Sequence, residues 1–219
     1  MLVPLSASHA HSLANLRKPP DEVVAEVGRI RAARDAAGSR TIIEVGMSTA
    51  FGCTIQGRVE PSEVLRLMQA VLDAGADRVG PADTGRLCGP PNGARAFRGG
   101  AFASSATIAS AAGTFTIRAA WRSRTSMRPH ELGVRRFDAS LAGIGGCPHA
   151  PGASGNASTE DLAYMLASMN IDTGIDLDRL LALRAKIAEW LRGETLHGTL
   201  WLAGLPKTMM ASGAAIQAA

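Results

Sequence analysis

Short stretches of strand character alternate with helices that begin on proline, and this alternation constrains the 219-residue chain more than any other feature. Leu2 to Ala7 reads as extended. Pro19-Pro20-Asp21 opens a helix to about Ala37, with Val23, Val27 and Ile30 on one stripe and Gly38 as its stop. Thr41 to Ser48 is a β-branched strand. Pro61-Ser62-Glu63 opens the next helix, with Val64, Leu67, Met68 and Val71 inward and Gly75 at its end. Asp77 to Ala82 is the following strand. Strand, helix, strand, helix at this period predicts a parallel sheet of βα units. Polar residues gather just after the strands, at Ser48-Thr49 and Asp83-Thr84. In a (β/α)8 barrel these strand ends share one face, where active sites lie. An open doubly wound sheet is the alternative, although no GxGxxG opens a helix here.

A second region carries the chemistry. Val134 to Leu141 reads as a buried strand, and Gly143, Gly145 and Gly146 then lead to Cys147-Pro148. Gly152 to Gly155 form another small-residue turn before Asn156, and a helix starts near Ser158. One strand therefore ends in a pliable loop carrying a thiol, an imidazole and an amide, with glycines that allow close backbone approach to a ligand. Ser158 with Asp161 fits a capping box. Asp176 to Leu191 is an amphipathic helix with Leu177, Leu180, Leu181, Ile187 and Leu191 on one side. His9 and His11 could share a face in an extended segment, but they are read as polar loop residues. Cys53 is read as structural or loop-lining, since nothing basic nearby would lower its pKa.

The run GIGGCPHAPGASGN, residues 143–156, resembles the signature of the 3-hydroxy-3-methylglutaryl-CoA lyase family, usually GLGGCPYAPGASGN, with His149 where the family has Tyr. The likeness continues through STEDLAYML to about Ile187. Upstream it includes SASHAHSLAN, STAFGCTIQG and GPADT, between Ser6 and Thr84. The resemblance implies a (β/α)8 barrel, and the absence of the family's first three strands implies an incomplete one with five or so C-terminal βα units. It implies cleavage of hydroxymethylglutaryl-CoA to acetoacetate and acetyl-CoA with a divalent cation, Mg²⁺ or Mn²⁺. Cys147 matches the loop cysteine that donates a proton, and Asn156 matches an amide ligand of the metal. Asp83 and Glu160 match carboxylates that line the site. Each has a plainer reading: a buried small residue for Cys147, a turn or cap residue for Asn156, a turn residue after the strand for Asp83, a first-turn acid for Glu160.

Residues 85–130 depart from the pattern. They hold seven arginines and neither an acid nor a lysine, and without those arginines the chain has 16 basic and 19 acidic residues, a net of −3. The basic balance therefore belongs to one window, and no nucleic-acid interface is expected. Shifted by a frame, 113–129 can read as a run that opens His-Phe-His-Asp-Thr-Arg-Gly, similar to the family's HxHDTxG strand and following helix. The window is accordingly read as an irregular or frame-displaced segment that compromises one strand and its helices.

The chain is thus expected to form a partial barrel domain over 1–192, irregular at 85–130, and a tail over 193–219 that is poorly ordered beyond Lys207. There is no apolar run long enough to span a membrane and no signal-peptide pattern; the cytoplasm is the default. The expected partner is an acyl-CoA, and association into a homo-oligomer is left open. Lacking the Arg-Asp-Gly strand and the HxH pair, the chain alone is expected to have little or no lyase activity. Two other readings stand beside this one: a non-catalytic remnant of such a lyase, and a related acyl-CoA lyase or synthase.

Overall fold

The computed structural model describes residues 1–82, 84, 114–116, 136–149 and 156–206. They fall into two compact units, Met1–Asp138 with Gly146–Ser154, and Ala139–Gly145 with Gly155–Ala219.

In the first unit, β1 (Leu2–Ser6), β2 (Glu44–Ser48) and β3 (Arg78–Pro81) form a parallel sheet in that order. Val3 lies opposite Val45, and Val45 opposite Val79, so branched side chains repeat across the register. Helix α1 (His9–Leu16) follows β1 directly; α2 (Pro20–Ala36) and α3 (Pro61–Asp73) follow. Val3, Leu5, Val45, Met47 and Val79 share one core with Val23 and Val27 of α2 and with Val64, Leu67, Met68 and Val71 of α3. Each such buried side chain contributes about 2 kcal/mol relative to exposure. Both long helices carry proline in the first turn, where no donor is lost.

The second strand starts three residues later than its β-branched run predicts. The Ile43 N–H donates to Asp77 Oδ2 at 2.7 Å, so that donor goes to a side chain instead of to the ladder. Asp77 also pairs with Arg34 at 2.8 Å, which ties the end of α2 to the start of β3.

Strands β4 (Thr114–Thr116) and β5 (Arg136–Asp138) pair in parallel, and β4 lies beside β3. The expectation is that the 85–130 window compromises one strand and its helices, and Thr114–Thr116 is the part of it that falls among the described residues. The backbone is extended at the place where the frame-shifted reading puts HxHDT. The remainder of that window lies outside the described residues.

The second unit begins with a 3-10 turn at Leu141–Gly143 and contains α4 (Thr159–Ser168), α5 (Leu177–Trp190) and the short α6 (Leu200–Ala203). Leu162, Ala163 and Leu166 of α4 are buried, as is Leu200 of α6. The stripe expected on α5 is half-buried, and the residue of α5 that is fully enclosed is Arg184. Residues 193–206 do not run free: the Thr199 and Leu200 amides donate to the Asp161 carboxylate at 2.8–3.0 Å. The expectation of disorder beyond Lys207 lies outside the described residues.

Candidate active site

The carboxyl ends of the first three strands bring hydroxyls, an imidazole and a thiol together within the first unit. Ser6 ends β1. Ser8, two residues on, caps α1 by accepting the His11 N–H at 3.2 Å. One turn of helix then returns the His11 ring to the strand end. Its Nδ1 lies 2.8 Å from Ser6 Oγ and its Nε2 lies 3.4 Å from Cys147 Sγ. The cap is fixed in turn by its neighbours. Ser8 Oγ donates to Gln56 Oε1 at 2.9 Å, and the Ser8 N–H donates to Thr49 Oγ1 at 3.0 Å. The Thr49 N–H donates to Thr84 Oγ1 at 3.0 Å, so the ends of β1, β2 and β3 are stitched by side-chain hydroxyls.

Ser6 and His11 are fully enclosed, whereas Cys147 is half-buried. Burial first, and the nearby His149 second, hold the His11 imidazole below its ordinary pKa of 6.5. His11 is therefore neutral at neutral pH, with one ring nitrogen donating and the other accepting. The reading of His9 and His11 as loop residues is corrected for both. They lie in α1, and His11 is among the most buried polar groups of the chain. The available signal was the capping serine three residues before it, which fixes where the helix starts and which face His11 occupies. Cys53 is structural: its buried sulfur accepts the Ile55 and Gln56 amides, each at 3.3 Å.

In the second unit, Asn156 is held from several sides. Its backbone N–H donates to Gly143 O at 2.9 Å, and its Nδ2 donates to Ile144 O at 2.9 Å. Its Oδ1 is buried and has no hydrogen-bond partner among the described residues. An amide pinned through its nitrogen, with the oxygen unspent, suits a hard cation. Gly145, at φ +99°, makes room for this arrangement, since a Cβ there would stand 2.9 Å from Asn156 Nδ2. Asn156 Oδ1 offers a single oxygen, and among the described residues no group of three or more His, Cys, Asp or Glu is arranged to hold a metal. Asp83, the other residue expected near the metal, lies outside the described residues.

Glu160 sits on the first turn of α4 and is 1% exposed. Its two oxygens accept the Ala142 N–H at 2.9 and 3.1 Å, and Oε2 accepts the Ser158 hydroxyl at 2.6 Å. Arg184 Nε lies 3.4 Å from Oε1, and the Arg184 guanidinium stacks 4.6 Å over the Trp201 ring. The carboxylate is spent on internal partners, and its effect is to hold Ala142 at φ +55°, a left-handed geometry that costs a non-glycine residue about 1–2 kcal/mol. The capping box forms by half. Ser158 Oγ accepts the Asp161 N–H at 3.3 Å, while the Asp161 carboxylate turns to residues 199 and 200 instead of reaching back. Arg184 was missed because it interrupts an apolar stripe, which normally places a cation toward solvent.

Cys147 belongs to the first unit and Asn156 to the second. The features so far define an α/β chain of parallel βα units whose strand ends gather an imidazole-bonded thiol.

Residues 125–187 match the family model described as HMGL-like. The hydroxymethylglutaryl-CoA lyase YngG of Bacillus subtilis is 30% identical over 187 residues, covering 85% of this chain and 60% of that protein. The (R)-citramalyl-CoA lyase of Chloroflexus aurantiacus is 31% identical over 193 residues, covering 85% of this chain and 56% of that protein. A solved HMG-CoA lyase from Acinetobacter baumannii, in complex with coenzyme A and 3-methylmalate, superposes with a TM-score of 0.82 at 31% identity, covering 94% of this chain and 66% of that one. The chain carries an HMGL-like family domain over 125–187, and these relatives are named as lyases. It spans about 60% of the length of the curated relatives it matches. Among the described residues, no helix is long and apolar enough to cross a membrane.

Proposed function

We propose that the chain carries the proton-donating part of a metal-dependent acyl-CoA carbon–carbon lyase, acting on hydroxymethylglutaryl-CoA or a close analogue within a (β/α)8 framework. The observation that carries this reading is the Cys147 thiol, half-exposed on the glycine loop and bonded to a buried neutral imidazole. Cleavage of a 3-hydroxyacyl thioester leaves an enolate of the shorter acyl-CoA. Cys147 delivers its proton to that carbon and keeps the electron pair as thiolate. Asn156 Oδ1 would contribute a ligand to Mg²⁺ or Mn²⁺, which when bound polarises the substrate oxygens as a Lewis acid. Gly143 and Gly145 keep the backbone close to Asn156, and Glu160 anchors the turn that precedes them. As written, residues 85–130 lack the HxH pair that the family supplies to the cation, so turnover by this chain is slow.

The presence of a citramalyl-CoA lyase among the relatives favours one second reading, a different acyl group on the same chemistry. His149, where the family has Tyr, is the residue on the thiol loop that would report it. The test is a single-turnover assay with excess protein and millimolar Mg²⁺ on hydroxymethylglutaryl-CoA and citramalyl-CoA, following release of acetyl-CoA. Slow release, reduced at least about 100-fold in Cys147→Ala, is the expected result. Release at the same rate in Cys147→Ala, or with metal chelated, would overturn the proposal.

A further inference from the structure

We propose that His11, fixed from behind by Ser6, is a positioning residue that sets the proton state and aim of the Cys147 thiol. The inference rests on the reading of Cys147 as proton donor. Its structural part needs no substrate.

The imidazole lies between two polar atoms, with Ser6 Oγ 2.8 Å from Nδ1 and Cys147 Sγ 3.4 Å from Nε2. A neutral ring has one donor and one acceptor, so the state of one contact dictates the other. When the thiol carries its proton, S–H donates to Nε2. Nδ1–H then donates to Ser6 Oγ. After Cys147 has given its proton to carbon, the thiolate needs a donor facing it. The proton released by the substrate hydroxyl, once passed to the ring, supplies that donor at Nε2 and then crosses to sulfur, which restores the thiol and the neutral ring. The substrate hydroxyl loses one proton and the product carbon gains one, so the cycle closes without net uptake.

Two observations separate this from ordinary core packing. Ser6 and His11 are buried completely, yet each spends its polar atoms along a line that ends on a half-exposed sulfur. The geometry also comes from a built cap: Ser8 fixes the first turn of α1 and is itself held by Thr49 and Gln56. Among the described residues, the ionisable groups facing the His11 ring are the Cys147 thiol and the His149 imidazole. Burial first, and the neighbouring His149 second, disfavour a charged His11 ring, so it rests neutral. Ser6 holds Nδ1, so Nε2 is the nitrogen turned to the sulfur.

The test measures the rate of Cys147 alkylation by iodoacetamide between pH 5 and 9, read on the Cys147 peptide by mass spectrometry, in the full-length chain. The wild type should show an inflection on the low side of pH 6.5 from His11, in addition to that of the thiol itself. In His11→Phe the low inflection should vanish, and at pH 6 the rate should fall by about tenfold. Ser6→Ala should displace the low inflection without removing it. A merely structural His11 would change the rate by one factor at every pH, leaving the curve's shape the same in wild type and His11→Phe; that result would overturn the proposal. A second readout uses wild-type protein alone. The NMR titration midpoint of His11 should move when Cys147 is alkylated, and a midpoint that stays put is equally fatal. A lost inflection in a chain that cleaves no acyl-CoA would sink the lyase reading and leave the pair standing. An unchanged profile in a chain that does cleave acyl-CoA would do the reverse.

Discussion

Replacing Glu160 by Gln should destabilise the second unit more than any exposed change could. The carboxylate is 1% exposed and faces Arg184 at 3.4 Å, with the arginine equally enclosed. Glu160→Gln leaves a buried guanidinium without its counter-charge, at a cost of about 3–5 kcal/mol. The new amide oxygen, at the Oε2 position, still accepts the Ala142 N–H and the Ser158 hydroxyl, but the NH2 that replaces Oε1 sets a second donor against Arg184, which adds about 1 kcal/mol. The stack of Arg184 over Trp201 is present before and after the substitution and cancels from the difference. The net loss of about 5 kcal/mol is a large share of the 5–15 kcal/mol that roughly bounds domain stability. Urea unfolding followed by tryptophan emission reads it, because Trp190 and Trp201 lie in this unit. The midpoint should fall by more than about 1 M. In Glu160→Gln/Arg184→Met the stranded charge is gone, and at least half of the loss should return. A single variant within about 0.5 kcal/mol of wild type would refute the assignment of Glu160 as the anchor of Ala142. A double variant no more stable than the single would refute the role given to Arg184.

Gly145→Ala should lower stability by more than about 1 kcal/mol, since φ is +99° there and the added Cβ would press on Asn156 Nδ2 at 2.9 Å. Thermal unfolding measures it, and an unchanged Tm would contradict the close approach. His11 predicts a pH dependence with a definite sign. Its folded-state pKa lies below 6.5, so its contribution to stability is complete above pH 6.5 and is lost as pH falls from 6.5 through the folded value. The wild-type Tm should therefore drop between pH 7.5 and 5 more steeply than that of His11→Phe; parallel curves would exclude a buried neutral imidazole.

Much of the first unit was legible in the sequence because its signals are local. Pro20 and Pro61 start helices, and Val64, Leu67, Met68 and Val71 recur at helical spacing and are buried together. The loop thiol and the amide at 156 were legible through the family signature alone. What escaped was long-range. Nothing local says that the Ile43 amide binds a carboxylate 34 positions away, which delays β2. Nothing local says that His11 meets a sulfur 136 positions on, so a histidine on a short helix read as a polar loop residue. Arg184 sits within the apolar stripe of α5, and only tertiary structure supplies the Glu160 and Trp201 that make it tolerable there. Asp161 was read as half of a capping box, but the chain returning at 199 and 200 offered two amides that won.

The central claim is that Cys147 faces an acyl-CoA in the act of losing a carbon–carbon bond, and protection of that thiol tests it without depending on turnover. Full-length chain with millimolar Mg²⁺ would be exposed to iodoacetamide with and without hydroxymethylglutaryl-CoA, and modification read on the Cys147 peptide. The account predicts that the thioester slows alkylation of Cys147 while free coenzyme A does so far less. Equal alkylation with and without hydroxymethylglutaryl-CoA would contradict it.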